Sequence, residues 1–265
     1  MDIEKTKQEM CDIGHRIWLR RYCAGNEGNH SVRIDDDRIL CTPSGVSKGF
    51  LSPEMICLMD MSGNRLDDNP GYRPTSEINT HIEIYKKRYD VKSVIHSHPT
   101  HATAFAITGI PLPEGIHPEA ELFLGHVPVA KFAIPSKQEL TESIVPLIQK
   151  DTRAVIMESH GVICFAETLE TTYYKLEILD AYCQILLLTK SIQKPRLFSN
   201  QQMKELLKLK QAFGEKDSRL ECIEEGCANN PQTPFLQNFE PDRINLSEND
   251  LEQLADKIAA RLQKQ

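Results

Sequence analysis

Apolar positions near the start of the chain recur at helical spacing. In IEKTKQEMCDIGHRIWLRRYC, Ile3, Met10, Ile13, Ile17 and Trp18 fall on one side of a 3.6-residue repeat, which predicts an amphipathic helix. Gly14 interrupts that run with a poor helix former. A Gly/Asn-rich break, AGNEGNHS, follows. RILCT and ICLMDM are short apolar runs bounded by turn residues and predict strands. PTSEINTHIEIYKKRY opens with proline and hydroxyl residues before a periodic run, a helix-start signal. VKSVIHSH predicts a strand, and PTHATAFAI a helix with proline near its first turn. HVPVAKF is a further strand, and ELTESIVPLIQK a short helix that breaks or ends near Pro146. TRAVIMES and GVICFA predict strands on either side of a His-Gly turn, and TLETTYYKLEILDAYCQILLLTK a long helix with a broad apolar face. Strands and helices that alternate this irregularly point to a layered α/β domain with a mixed sheet rather than a regular doubly wound one.

Beyond about residue 190 the pattern changes. A polar helix over 200–213 gives way to a Pro-, Asn- and acid-rich stretch without periodicity, which predicts a linker. The chain ends in LSENDLEQLADKIAARLQKQ. Ser247 is placed to cap a helix there, on which Leu251, Leu254, Ile258 and Leu262 form one stripe. The expected division is a domain over 1–213, a linker over 214–245 and an amphipathic C-terminal helix over 246–265, with no internal repeat.

Composition narrows the classes. The 265 residues are 40% hydrophobic and 26% charged, an ordinary globular balance. A net charge of −7 argues against a broad nucleic-acid surface, although a small anion could still sit on backbone N–H groups. No apolar run approaches the ~20 residues of a membrane span, and MDIEKTKQEM has no apolar signal region. The expected location is cytoplasmic. Most of the eight cysteines lie in apolar periodic segments and none forms a CxxC pair. Cys222 and Cys227, in CIEEGC, have no histidine nearby and do not read as a zinc knuckle, so a reduced compartment is expected.

The chemistry centres on VIHSHPTHATA. Residues two apart on a strand share a face, so His96 and His98 project together and offer half of a tetrahedral metal site. His101 follows Pro99 into the next helix and reads as structural or as a supporting group. Two hydrogen-bonded structural histidines would leave the same HxH pattern. His160, in ESHGVICF, sits before a glycine where a turn can present an imidazole at the sheet edge. Glu77, in PTSEINTHIEI, sits at a helix start, where an ordinary first-turn acid is also favoured by the helix dipole. Three turns offer anion-binding groups: GNHS with Asn29, TPSG with Ser44 and Gly45, and TSE with Thr75 and Ser76. None is a Walker loop or a dinucleotide fingerprint.

The ordered set GNHS, TPSG, TSE, HSH and SHG resembles the class II aldolase/adducin family over about residues 5–190, and within it the L-fuculose-1-phosphate aldolases. The resemblance implies a three-layer α/β/α fold around a mixed, largely antiparallel sheet. It implies one Zn2+ held by His96, His98 and His160, with Glu77 as a fourth ligand that becomes the acid/base group when substrate arrives. Asn29, Ser44, Gly45, Thr75 and Ser76 would bind the phosphate of a phosphorylated ketose, and the assembly would be a homotetramer. The implied reaction is retro-aldol cleavage of L-fuculose 1-phosphate or L-rhamnulose 1-phosphate to dihydroxyacetone phosphate and lactaldehyde, through an enediolate stabilised by the metal. Epimerase and dehydratase activities are the alternatives within the family. The family's ribulose-phosphate 4-epimerases carry Asp where this chain has Glu77, which favours the aldolase. A non-catalytic adducin-like scaffold is the alternative outside it, and such scaffolds lack the histidines kept here.

The chain departs from the pattern at one place. The family's fuculose aldolases use a tyrosine from a neighbouring subunit as proton donor, but GIPLPEGIHPEAELFLG contains none. His117 and Glu119 are the candidate replacements. The terminal helix resembles the encapsulation peptides of bacterial microcompartment cargo, which implies a shell protein as partner and a location inside the compartment.

Overall fold

The computed structural model describes residues 2–215, 217–223 and 233–241. Its centre is a 7-stranded sheet in the order β3-β2-β1-β4-β7-β6-β5. The strands are β1 (Asn29–Arg33), β2 (Arg38–Cys41), β3 (Cys57–Asp60), β4 (Ser93–Ser97), β5 (Val129–Ala130), β6 (Ala154–Met157) and β7 (Gly161–Ala166). All neighbouring pairs are antiparallel except β5 with β6, so the sheet is mixed and largely antiparallel, as expected.

Helices cover both faces. On one side lie α1 (Ile3–Leu19), α3 (Thr100–Thr108), α4 (Pro118–Phe123) and α6 (Leu169–Thr189). Met10, Ile17, Phe105, Leu176 and Leu179 from this layer share a core with Leu40, Ile95, Ile156, Val162 and Cys164. On the other side α2 (Ile78–Lys87) and α5 (Gln138–Ile144) pack Ile82, Tyr85, Leu140 and Ile144 onto Ile39, Val94, Val155, Ile163 and Phe165. Alternation along β4 therefore sends Ile95 toward α1, α3 and α6, and Val94 and His96 toward α2. Among the described residues no helix is long and apolar enough to cross a membrane.

Two elements escape the hydrophobic pattern. The start of β1 falls in the Gly/Asn-rich break AGNEGNHS, because its polar residues hide any alternation. All five are buried, and part of their polar groups is paired inside, while Asn29 Oδ1, His30 Nδ1 and Arg33 Nε have no partner. His30 donates through Nε2 to the Met10 carbonyl at 2.9 Å on one face, while Ser31 Oγ meets His81 Nδ1 at 2.8 Å and the Tyr85 hydroxyl at 2.7 Å on the other. α4 begins at Pro118, inside a Gly/Pro-rich stretch whose short apolar period is easily read as loop.

Beyond α7 (Asn200–Ala212), the described parts of the expected linker are seated on the domain. They form two single turns, α8 (Arg219–Cys222) and α9 (Pro234–Gln237). Phe235 and Leu236 are buried in the main core. Asp217 takes Lys210 Nζ at 2.9 Å, and Arg219 reaches Glu114 at 2.8 Å and Glu121 at 2.7 Å. A few buried apolar and charged anchors suffice to hold a segment that has no sequence periodicity. Cys11, Cys23, Cys41, Cys57, Cys164 and Cys183 are free, whereas Cys222 is disulfide-bonded, which departs from the fully reduced chain expected. The expected helix over 246–265 lies outside the described residues.

Candidate metal centre

His96 enters the site from the last turn of pleat in β4. Its Nδ1 lies 2.9 Å from the Val162 carbonyl across the strand pair. A carbonyl only accepts, so Nδ1 carries the hydrogen and Nε2 presents a lone pair inward. His98 follows directly after the strand. The Tyr22 carbonyl fixes this chain end, accepting from Ser97 Oγ at 2.7 Å and from the His98 N–H at 2.9 Å. His98 Nε2 then meets His96 Nε2 at 3.1 Å.

His160 comes from the β6–β7 hairpin. Met157 pairs with Gly161, leaving Glu158, Ser159 and His160 as a three-residue loop, with Ser159 in the left-handed region at φ 57°. The loop is pinned where the Ser159 N–H donates to the Ala106 carbonyl at 2.8 Å. Gly161 is a functional position that sequence alone did not single out. A Cβ there would lie 2.5 Å from His98 Cδ2 and 2.7 Å from the Ser97 carbonyl oxygen, so only glycine lets the hairpin close onto His98. The signal was visible as SHG, but its reason is His98, a neighbour 63 residues away in the chain.

Glu77 completes the set from the N-cap position of α2. Its side chain makes no cap hydrogen bond. Instead its carboxylate accepts from the Asn29 amide at 3.1 Å and stands 3.5 Å from His96 Nε2 and 3.9 Å from His160 Nε2. The three histidines offer ligand atoms that all lie within 4.8 Å of one another. Zn–N bonds of about 2.0–2.1 Å in a tetrahedron imply ligand separations of about 3.4 Å, close to the spacings found here. Burial, first of all, pushes each imidazole down to about 4, and the crowding of His98 and His160 against His96 acts in the same direction. At neutral pH all three are therefore neutral, the form that binds a cation. The donor set fits a divalent metal of the zinc type.

The expected phosphate residues gather beside this cluster. Pro43 and Pro74 form an isolated antiparallel bridge, so TPSG and PTSE run side by side. The Ser44 N–H donates to the Arg73 carbonyl at 2.8 Å and the Thr75 N–H to the Thr42 carbonyl at 3.1 Å. Ser44 Oγ donates to the Pro74 carbonyl at 2.9 Å, and Ser76 Oγ lies 2.7 Å from Ser136 Oγ. Gly45 adopts φ 76° with nothing within 4 Å of where a Cβ would point. Asn29 turns its amide to Glu77, which ties this wall to the metal candidate.

His101 stays outside the cluster. Its Nδ1 pairs with Asp180 at 3.0 Å, and the same carboxylate accepts the His101 and Ala102 N–H groups at the start of α3. His117 and Glu119 are not brought to the cluster within this chain. His117 caps α4, stacks on Tyr182 of α6 at 5.8 Å, and lies 3.3 Å from Glu119, on the side of the sheet away from α2.

Comparison with known proteins bears on the family and the fold. The profile of the Class II Aldolase and Adducin N-terminal domain matches residues 8–187. The chain belongs to the class II aldolase family. An L-fuculose phosphate aldolase of Methanococcus maripaludis is 31% identical over 177 residues, covering 67% of this chain and 93% of that protein. A 3-oxo-tetronate 4-phosphate decarboxylase of Haemophilus influenzae is 30% identical over 204 residues, covering 76% and 95%. A solved L-fuculose 1-phosphate aldolase superposes with a TM-score of 0.70 at 27% identity, over 78% of this chain and 95% of that one. Membership in this family makes the chain an enzyme of the metal-dependent lyase type.

Proposed function

We propose that this class II aldolase cleaves a ketose 1-phosphate, L-fuculose 1-phosphate or the related L-rhamnulose 1-phosphate, to dihydroxyacetone phosphate and lactaldehyde. The observation that carries this reading is the convergence of three imidazole nitrogens and the Glu77 carboxylate beside a hydroxyl- and amide-rich wall. His96, His98 and His160 would hold the cation, with Glu77 beside them. A divalent ion held there would supply Lewis-acid chemistry, lowering the cost of the negative charge left by C–C cleavage. Glu77, freed from the ligand set, would carry a proton to the carbon that cleavage leaves nucleophilic. Asn29, Ser44, Gly45, Thr75 and Ser76 would orient the phosphate, and a homotetramer would complete the site.

A second reading has its own support. The Haemophilus relative is named for decarboxylation of a 3-oxo acid phosphate. Loss of CO2 from such an acid leaves the same phosphate-bearing carbon nucleophile as retro-aldol cleavage. It does not require proton exchange at the hydroxyl of the departing aldehyde, the task of the proton-donor candidates His117 and Glu119, which are poorly placed for it within one chain. Dihydroxyacetone phosphate is the product of both reactions, so the co-product separates them. The zinc-loaded chain is expected to release dihydroxyacetone phosphate and lactaldehyde from fuculose or rhamnulose 1-phosphate in a coupled assay. Release of CO2 from 3-oxo-tetronate 4-phosphate, with the ketose phosphates untouched, would move the assignment to the decarboxylase. No product from any of the three, with no metal bound, would leave a scaffold.

For residues 246–265 the proposal is delivery to a microcompartment shell, carried by the amphipathic stripe in the sequence. Fused to a fluorescent protein, this segment is expected to give puncta in a shell-forming host. Diffuse fluorescence there would remove the idea.

A further inference from the structure

The groups that would meet the phosphate, Asn29, Ser44, Gly45, Thr75 and Ser76, are all neutral, whereas a phosphate monoester carries between one and two negative charges at neutral pH. The fold places one buried cation between the loops that bear them. Lys48 opens a single 3-10 turn, Lys48–Phe50, yet is only 2% exposed. Its Nζ donates to the Asn26 carbonyl at 2.7 Å and to the Val46 carbonyl at 2.7 Å. Asn26 lies in the loop that leads into Asn29, and Val46 directly follows Gly45. One ammonium thus ties together the two loops from which Asn29, Ser44 and Gly45 project.

The position is built rather than incidental. The Lys48 carbonyl packs so closely on α1 that a Cβ on Gly14 would lie 2.5 Å from it, which gives the glycine in that helix its reason. Among the described residues no carboxylate forms an ion pair with Lys48. Glu27, in the same loop, instead turns its carboxylate onto the backbone N–H groups of Ala24 and Gly25. Burial lowers the Lys48 ammonium to about 8, which leaves it mostly charged at pH 7. A buried ammonium with carbonyl partners and no ion-paired carboxylate is costly to keep; the Glu27 charge in the same loop offsets part of that cost, and an anion held by the adjoining loops would offset more of it.

We propose that Lys48 is the fixed cation of the substrate phosphate site, a positioning and specificity residue that joins the two loops and selects a phosphorylated over an uncharged substrate. The proposal rests on the phosphate wall of the functional reading above. It is tested on the zinc-loaded full chain with inorganic phosphate as probe, alongside turnover of the ketose phosphates. With Lys48→Met, the dissociation constant for phosphate and the KM for the phosphorylated ketose are both expected to rise about tenfold or more. The kcat and the metal content per chain stay within twofold, and Lys48→Arg recovers most of the phosphate affinity. Unchanged phosphate affinity in Lys48→Met overturns the proposal, as does a parallel fall of kcat, metal content and thermal stability with phosphate affinity intact. If the wild-type chain binds phosphate but turns over none of the substrates, the functional reading fails while the phosphate comparison still decides the role of Lys48. If the wild-type chain binds no phosphate, the proposal falls with its premise. Lys48→Gln, which keeps a donor without the charge, replaces the methionine variant should that one not fold. Failure of both neutral variants to fold would make Lys48 a residue of loop structure alone.

Discussion

A His96→Ala chain is expected to purify without bound zinc and to lose lyase activity by about a thousandfold or more. His96 is the donor on which the others converge. It is 2% exposed, its Nδ1 is anchored on the Val162 carbonyl, and its Nε2 lies 3.1 Å from His98 Nε2 and 3.5 Å from Glu77. Removing it leaves two imidazoles that come from different elements and have no common anchor. Loss of a group that merely orients a ligand costs about 10–100-fold in metal affinity, and loss of a ligand costs more. Elemental analysis of the purified protein, beside release of dihydroxyacetone phosphate, reads both effects. Chelation should inactivate the wild-type chain in the same way, and added zinc should restore it but not the variant. His101→Ala is the control, because Asp180 holds that ring at 3.0 Å, away from the cluster. Activity retained by a metal-free His96→Ala chain would remove the metal centre from the mechanism.

The legible part of this site followed from local rules. Residues two apart on a strand share a face, which pairs His96 with His98 from the sequence alone. The N-terminus of α2 was equally readable from PTSE, and it delivers Glu77. That Glu77 and His160 would meet that pair could be inferred only through the family resemblance, because no local rule says that the β6–β7 turn and the start of α2 close on the end of β4. Lys48 and Gly161 show the same limit from another side. A lysine in TPSGVSKGF reads as a solvated surface charge, and its burial depends on Asn26, Val46 and the face of α1 arriving together. Gly161 reads as a turn glycine, while its actual constraint is the ring of His98. The turns at 219–222 and 234–237 were hidden for a related reason. Their anchors, Arg219, Phe235 and Leu236, are isolated in sequence and make sense only against Glu114, Glu121 and the α6 layer.

Glu77→Gln is expected to separate the two duties proposed for this residue. The carboxylate accepts from Asn29 at 3.1 Å and faces His96 and His160 at 3.5 and 3.9 Å, so it is placed both to neutralise a cation and to exchange a proton. Glutamine keeps the length and a carbonyl acceptor for the Asn29 amide, but loses the charge and the basic oxygen. With three imidazoles intact, the variant should still bind zinc, weaker by about 10–100-fold, and remain saturable with excess metal. Under saturation kcat should stay low by about 10²–10⁴-fold, the usual contribution of a positioned acid/base group. KM for the phosphorylated ketose should change little, because in the proposed site the neighbouring loops, and not Glu77, would hold the phosphate. Glu77→Asp, which keeps the charge but shortens the reach by one methylene, should bind metal like the wild type and recover only part of kcat. Two outcomes would redirect the assignment. Full kcat in metal-saturated Glu77→Gln would confine Glu77 to ligation and require another proton carrier, with His117 or Glu119 of a neighbouring subunit next in line. Complete loss of zinc in the same variant would mean that the three histidines are an insufficient set, and that the carboxylate cannot leave the metal to do chemistry.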